Sequence, residues 1–329
     1  MPWPGAPRRR HPGRIALAAL LGGAAAGVVL PDRLRIDHRV PVVDAVAWRP
    51  HASVLALGGA GLLGLARATR PAAAAVGAVG LAGLASVAGR LRRRTGPAPA
   101  GEPLTILTAN VLVGRGDTGA LAALIARERP DLVVLPEAGP DYRDKLVPLL
   151  GEAGYRSWSS VPPGTPDRFG VTVLASERAG DLLVVAGHAM RLRHLEVTGG
   201  ILGERRLFAV HTSAPMRRRL AASWCREMDT IRGWTRAPVA PIVVGDLNAT
   251  LDHSRLRGAL GGCRSAAAGT GRGLVATYPA ATPRWFGIQI DHVLVPTATV
   301  TGRFEVHDLP GADHRAVLTT VHLPPVRPV

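Results

Sequence analysis

The sequence predicts an α/β protein carried behind a strongly apolar N-terminal region, and three observations predict it. From Leu104 onward, short β-rich runs alternate with stretches of helical periodicity. Polar residues able to do chemistry recur at the ends of those runs. The first hundred residues also differ sharply from the rest: they hold no Glu, fourteen Arg against three Asp, and long tracts of Ala, Gly, Leu and Val. A chain of 329 residues suffices for a large domain with a sizeable core.

The N-terminal region comes first. Uncharged runs cover residues 15–30, 52–66 and 71–89, and arginines at 8–10 and 14, at 67 and 70, and at 90–94 punctuate them as membrane flanks do. We therefore expect about three transmembrane helices in a membrane region of residues 1–94, and a multi-pass protein of the cell membrane. The basic run before the first segment also fits a secretory signal, but no clean small-x-small cleavage site follows it before Pro31, which favours a retained anchor. Gly23 and Gly27 make a small-xxx-small pair suited to close helix packing. With the N-terminus inside, an odd number of spans places the remainder outside the cytoplasm. Residues 95–103, "TGPAPAGEP", read as a Pro/Gly/Ala linker to a catalytic domain at 104–323.

The net charge of +16 divides the same way, +11 in residues 1–100 and +5 beyond them. Most of the excess flanks apolar segments, so the high pI implies no strong nucleic-acid footprint on the globular part. The two cysteines, Cys225 and Cys263, match no metal-ligand spacing and read either as small buried hydrophobes or as a disulfide.

Strands are expected at 104–109, 132–135, 170–175, 182–185, 192–197, 206–211, 242–245, 290–295 and 316–321, and helices at 119–128, 141–150 and 215–234. Asp117 or Thr118 caps the first of these helices. Asn110 follows "LTILTA", Glu137 follows "LVVLP", His211 follows "LFAV", and Asp246 with Asn248 follows "IVVG". Asp291 interrupts "IQIDHVLV", and Asp313 and His314 precede "RAVLTTV". Strand ends meet along a sheet edge, where residues remote in sequence converge.

Each residue also has a plainer reading: Asp246 and Asn248 as a turn, Glu137 as a solvated loop residue, His211 as a hydrogen-bonded surface histidine. Together they suggest chemistry. Glu137 is a hard oxygen ligand suited to Mg²⁺. A carboxylate beside His314 fixes its tautomer, so that the imidazole takes a proton from water or steadies a phosphate.

The order "TAN", "LPEAG", "HTSAP", "GDLNAT", "IDHVLV", "ADHRAV" resembles that of the endonuclease/exonuclease/phosphatase superfamily, the deoxyribonuclease-I-like fold, over about residues 103–323. The resemblance implies a four-layer α/β sandwich of two packed mixed sheets flanked by helices, and a divalent-metal-dependent phosphoesterase using Mg²⁺, with Mn²⁺ an alternative. It implies that Glu137, with Asn110 beside it and Asp313 nearby, holds the metal. Asp246 orients or deprotonates water, Asn248 and His211 contact phosphate, and Asp291 orients His314. Pro136 stands where the family often has Gln, and the short segment 155–178 leaves little room for loops that grip duplex DNA. Arg168 reads as a phosphate contact or a solvated cation, and Trp285 as a substrate contact or core packing.

The expected function is a membrane-anchored hydrolase of phosphodiesters or phosphomonoesters, acting on a phospholipid or an envelope polymer. A nuclease and a non-catalytic binding module are the alternatives.

Overall fold

The computed structural model describes residues 12–93 and 102–326. The arginines at 8–10 and nearly all of the expected linker lie outside the described residues. The N-terminal helices are α1 (Pro12–Val29), α2 (Val42–Ala47), α3 (Arg49–Gly64) and α4 (Arg70–Ala88). Then follow β1 (Pro103–Thr108), α5 (Thr118–Glu128), β2 (Leu132–Pro136), α6 (Pro140–Leu146), β3 (Arg156–Ser159), β4 (Val171–Ala175), β5 (Leu182–Gly187) and β6 (His194–Gly199). The chain continues through β7 (Leu207–His211), α7 (Arg218–Thr235), β8 (Ile242–Asp246), α8 (Ser254–Ala259) and β9 (Cys263–Ser265). It closes with β10 (Asp291–Pro296), β11 (Val300–His307) and β12 (Ala316–His322).

The strands form two six-stranded mixed sheets, ordered β11-β12-β1-β2-β4-β3 and β5-β6-β7-β8-β10-β9. In each, the two central strands are the parallel pair, β1 with β2 and β7 with β8, and their neighbours run antiparallel. Alternation sends Leu104 and Ile106 of β1, Val134 of β2 and Val244 of β8 into a core between the sheets. The opposite faces meet helices: Leu107 and Val133 pack with Leu121 and Ile125 of α5, while Phe208 and Val243 pack with Trp224 and Met228 of α7. Two mixed sheets flanked by helices thus make an α/β sandwich. Strands buried on both faces are apolar throughout, which is why their sequences read as continuous hydrophobic runs.

Three strands escape the sequence reading: β3, β9 and β11. All three are edge strands, where one side lacks a neighbour and polar residues such as those of "RSWS" are tolerated. The expected helix at 119–128 forms, capped by Asp117, whose carboxylate accepts the Ala120 N–H at 2.7 Å. The cysteines are both free; Cys263 is buried and donates to the Pro241 carbonyl at 3.3 Å.

The N-terminal helices pack together, with α4 between α1 and α3. Gly22 faces Ala75 and Val29 faces Gly83, so α1 and α4 run parallel; Ser53 faces Gly83 and Ala60 faces Gly77, so α3 returns antiparallel. A Cβ on Gly83 would lie 2.1 Å from Ser53 Oγ and 2.4 Å from Val29 Cγ1. The expected Gly23/Gly27 pair has no such role, because nothing lies within 4 Å of either position.

The expectation of about three transmembrane helices is also corrected. Among the described residues, two helices are long and apolar enough to cross a membrane, Pro12–Val29 and Arg70–Leu91. The middle segment forms a helix of 16 residues that begins at Arg49, Pro50 and His51, below the roughly 17-residue lower limit for a span.

This region is docked on the sandwich through buried polar contacts. Arg49 bonds the Asp32 carboxylate and the Val29 carbonyl and lies 3.1 Å from Asp252 Oδ1. Arg90 grips both Asp252 oxygens at 2.8 and 2.9 Å. Asp37 accepts the Ser254 N–H and hydroxyl at 2.6 and 2.9 Å. His253 donates from Nε2 to the Val43 carbonyl at 2.9 Å, its Nδ1 accepting the Thr250 N–H at 3.0 Å.

Candidate active site

The topology explains why six distant polar segments meet. The central parallel strands of both sheets end at one rim, delivering Asn110, Glu137, His211 and Asp246; the antiparallel strands β10 and β12 begin there, delivering Asp291 and the Asp313–His314 pair. His211 and Asp246 are in register across β7/β8, and Asp246 and Asp291 across β8/β10.

Asn110 links the two sheets at this rim. Its Nδ2 donates to Glu137 Oε1 at 3.0 Å and to Asp246 Oδ2 at 3.1 Å. Asn248 holds the other side of Asp246, its N–H donating to Oδ1 at 2.8 Å and its Nδ2 to the Thr212 carbonyl at 2.9 Å. His211 Nε2 lies 3.7 Å from both Glu137 and Asp246. His314 Nδ1 meets Asp291 Oδ2 at 2.9 Å, while its Nε2 lies 3.9 Å from Asp246 Oδ2.

The backbone is strained to achieve this. Leu112, Val113, Glu137 and Asn248 all adopt left-handed conformations, with φ of 48°, 54°, 59° and 45°, which cost about 1–3 kcal/mol each outside glycine. The turn at 112–113 aims two N–H groups at the site, Leu112 N–H to Asn110 Oδ1 at 3.0 Å and Val113 N–H to Glu137 Oε2 at 2.8 Å. Immediately before Asp246, Gly245 has φ 139° and a Cβ there would sit 1.9 Å from the Val210 carbonyl. Only glycine lets β8 approach β7 so closely.

The electrostatics are one-sided. Among the described residues, Glu137, Asp246 and Asp291 pair with histidines alone, and Asp291 Oδ1 and Asp313 Oδ1 are buried without a partner. Burial pushes the Asp246 carboxyl above the ordinary carboxylate range, the neighbouring His314 and His211 opposing it. Burial by itself would lower the His314 pKa, but the carboxylates of Asp291 and Asp246 outweigh it and hold the imidazole up to about 10. The Tyr278 phenol is raised by burial and then by Asp313 and Asp246.

A divalent cation fits this donor set. Ligand atoms of Asp246, Asp291 and His314 lie within 4.8 Å of one another, and Glu137 adds a hard oxygen beside Asp246 through their shared Asn110. The unpartnered buried carboxylate oxygens are what such an ion would satisfy.

These groups face a cleft of about 540 Å³. Arg168 lines it, with its guanidinium 4.5 Å over the Phe169 ring. Trp285 does not; it is 77 % exposed beside an adjoining cavity, neither in the core nor in the cleft. The sequence reading missed Tyr278, whose ring centroid is 4.9 Å from that of His314, and Thr212, whose carbonyl orients Asn248. It also missed that Val43, Asp44, Ala47 and Trp48, from the N-terminal region, line the cleft. A loop tyrosine in "VATYPA" has no pattern around it, and nothing local to "VVDAVAW" tells of a contact some 200 residues away.

The sequence model of the Endonuclease/Exonuclease/phosphatase family matches residues 107–314. No curated protein sequence matches the chain. Among solved structures, an endonuclease/exonuclease/phosphatase from Beutenbergia cavernae superposes with a TM-score of 0.52 at 20 % identity, covering 68 % of this chain and 72 % of that one. The AP endonuclease LMAP from Leishmania major gives 0.53 at 14 % identity, covering 73 % and 99 %. D. rerio TDP2 complexed with single-strand DNA product gives 0.51 at 16 %, covering 67 % and 99 %. At these identities the likeness is one of fold.

Proposed function

Since the chain belongs to the Endonuclease/Exonuclease/phosphatase family, whose members depend on a divalent metal, we propose that it is a membrane-anchored hydrolase of phosphoester bonds, using Mg²⁺ or Mn²⁺. The observation that carries this reading is the convergence of Glu137, Asn110, Asp246, His211 and His314 on one rim, joined by the Asn110 hydrogen bonds.

In this reading Glu137 and Asn110, with Asp313, would hold the metal at the edge of the Asp246–Asp291–His314 cluster, where it would polarise the phosphate and offset the crowded carboxylate charge. Asp246 takes the proton of the attacking water as its oxygen bonds to phosphorus; Asn248 fixes that carboxylate through the 2.8 Å backbone bond and reaches the phosphate by turning its amide from the 3.3 Å contact with Asp246. His314, oriented by Asp291, and His211 face the phosphate oxygens that gain charge, and a proton from this side reaches the leaving oxygen as its bond to phosphorus breaks. Arg168, with no carboxylate partner among the described residues, is a phosphate contact at the cleft wall.

Anchoring rests on α1 and α4, with α3 the short return segment between them. Leu20, Leu55, Leu62 and Leu81 expose their side chains around this bundle, as a surface facing lipid does. With the N-terminus inside, the parallel α1 and α4 both end on the outer side; we therefore place the membrane region before residue 95, the catalytic domain at 104–323 and the sandwich on the extracytoplasmic side, which reporter fusions after residue 95 test. A phospholipid or an envelope polymer is the substrate that such a position brings within reach.

A nuclease is the second reading, favoured by Arg191, Arg217, Arg218 and Arg219 along a groove beside the cleft and by the nucleic-acid product named with the zebrafish structure. The test is hydrolysis of bis-p-nitrophenyl phosphate and p-nitrophenyl phosphate by the full chain in detergent, with Mg²⁺ or EDTA, beside Asp246→Asn. Turnover should require the metal and fall by about 10²–10⁴-fold in the variant; metal-independent turnover or an undiminished variant overturns the assignment. Salt-sensitive cleavage of oligonucleotides would select the second reading.

A further inference from the structure

A second cavity of about 450 Å³ lies beside the catalytic cleft, within the ~300–1,000 Å³ range of small-molecule sites. It is built at the junction of the two parts of the chain. Leu91, at the end of the long apolar helix, forms one wall with Pro50 of α3, and Leu274 and Trp285 of the sandwich form another. Ala47 and Ile288 line both this cavity and the cleft, so the two share a wall.

Its chemistry is selective. The two arginines at its margin are bonded to carboxylates that they share with a second arginine, Arg90 to Asp252 with Arg49, and Arg284 to Asp308 at 2.7 Å with Arg315. Between these margins Pro50, Leu91, Leu274, Val275 and Ile288 line the chamber with hydrocarbon. The cavity opens where the apolar helices end. Leu91 is 60 % exposed and Trp285 77 % exposed at this level. Trp285 is not a free loop tip: its carbonyl meets His51 Nε2 at 3.2 Å, and its ring belongs to a chain of aromatics, 5.8 Å from Phe286, which lies 5.6 Å from Trp48. Tryptophans gathered where apolar helices stop are characteristic of a bilayer interface. Trp48 also lines the catalytic cleft, so the aromatic chain runs from the phosphate site to the proposed lipid surface.

We propose that this chamber binds a hydrocarbon chain of a bilayer amphiphile whose phosphoester occupies the adjoining cleft. The anchor is then one wall of the substrate site as well as a tether. This rests on the membrane and phosphoesterase readings above, and narrows the substrate class to phosphorylated lipids.

The test uses the full chain in phosphatidylcholine nanodiscs, with a phosphatidic acid carrying a diazirine near its acyl terminus as photoprobe, in an Asp246→Asn background so that the probe is not consumed. Mass spectrometry should place adducts on residues 271–289 and on Leu91, besides adducts on the outer faces of α1 and α4 from surrounding lipid. Leu274→Trp and Leu91→Trp fill the chamber and should each lower its adducts about ten-fold while leaving those on α1 and α4 unchanged, a control that a misfolded variant would not pass. Adducts confined to α1 and α4, or chamber adducts undiminished by both substitutions, overturn the inference. Chamber labelling in a protein whose wild type hydrolyses neither nitrophenyl ester upholds the chain-binding chamber and overturns the phosphoesterase reading instead.

Discussion

Asp246 and Asp291 stand opposite each other across the antiparallel pair β8/β10, and His314 spans them, 2.9 Å from Asp291 and 3.9 Å from Asp246. Two buried carboxylates at one register position repel, and no arginine or lysine relieves them among the described residues. The pair is tolerable only with positive charge between or beside them.

A divalent cation should stabilise the fold. At a concentration of about 100 times its Kd, Mg²⁺ should add about 2.7 kcal/mol, seen as a higher thermal midpoint by tryptophan fluorescence of the full chain in detergent. Glu137→Gln, which removes a hard oxygen ligand while keeping the Val113 and Asn110 neighbours, should lose most of that gain. An equal Mg²⁺ shift in both proteins would place the ion elsewhere.

Gly245→Ala should be among the costliest single-methyl additions. The new Cβ would sit 1.9 Å from the Val210 carbonyl at a φ of 139°, forcing β7 and β8 apart at the position that sets His211 against Asp246. We expect a loss on the order of 3 kcal/mol, read from thermal unfolding, with activity falling as well.

Asp252→Ala should weaken the docking of the helices on the sandwich. It leaves the buried Arg49 with Asp32 alone and strips Arg90 of its carboxylate partner, a change that costs about 3–5 kcal/mol when buried pairs are broken one-sidedly. Faster limited proteolysis between residues 93 and 103 is the expected signature. Activity on a soluble phosphoester should fall less than activity on a lipid, because the groups on the rim are retained.

Acid should loosen the same junction. His253 accepts the Thr250 N–H at Nδ1 and donates to Val43 from Nε2, and burial pushes its pKa below the ordinary histidine value, the Val43 and Thr250 carbonyls opposing that shift. His194 is likewise lowered by burial. Because the folded values of these two lie below the unfolded value near 6.5, their contribution is complete above about pH 6.5, whereas His314, held up to about 10, contributes fully below about pH 6.5 and loses its share as pH rises above it. As pH falls below that value, the contribution of His253 and His194 declines by up to about 1.4 kcal/mol per pH unit for each histidine. Thermal midpoints between pH 5 and 8 check this, and a flat profile that matches His253→Gln would contradict it.

Gly83→Val should separate α4 from its neighbours, since its first side-chain atom would already overlap Ser53 and Val29. Gly23→Val and Gly27→Val face open space and should be silent. Thermal unfolding of the three proteins in detergent distinguishes them.

Much of this architecture is legible in the residues. Central strands such as "ILTA" and "IVVG" bury both faces, so they must be apolar, and that uniformity makes them visible. Edge strands β3, β9 and β11 need no such uniformity, and their polar alternation hides them. The six strand-end motifs were equally plain, because a polar residue after an apolar run stands out. Trp285 was misleading: a tryptophan beside "FGIQIDH" looks like core or cleft, yet its loop turns outward toward His51.

By itself the sequence determined the compositional break near residue 100, the strands that fill the core, and the identity and order of the polar groups at their ends, since each follows from what a local stretch must bury or expose. Only the tertiary structure decided that Asn110 joins Glu137 to Asp246 and that the short middle helix is a return segment. It likewise decided that residues 43–48 wall the cleft through contacts such as Arg49 with Asp252, 203 positions apart. Those outcomes depend on strand order, crossover direction and domain docking, which are settled by the free energy of the whole packed chain and leave no periodic trace in any one segment.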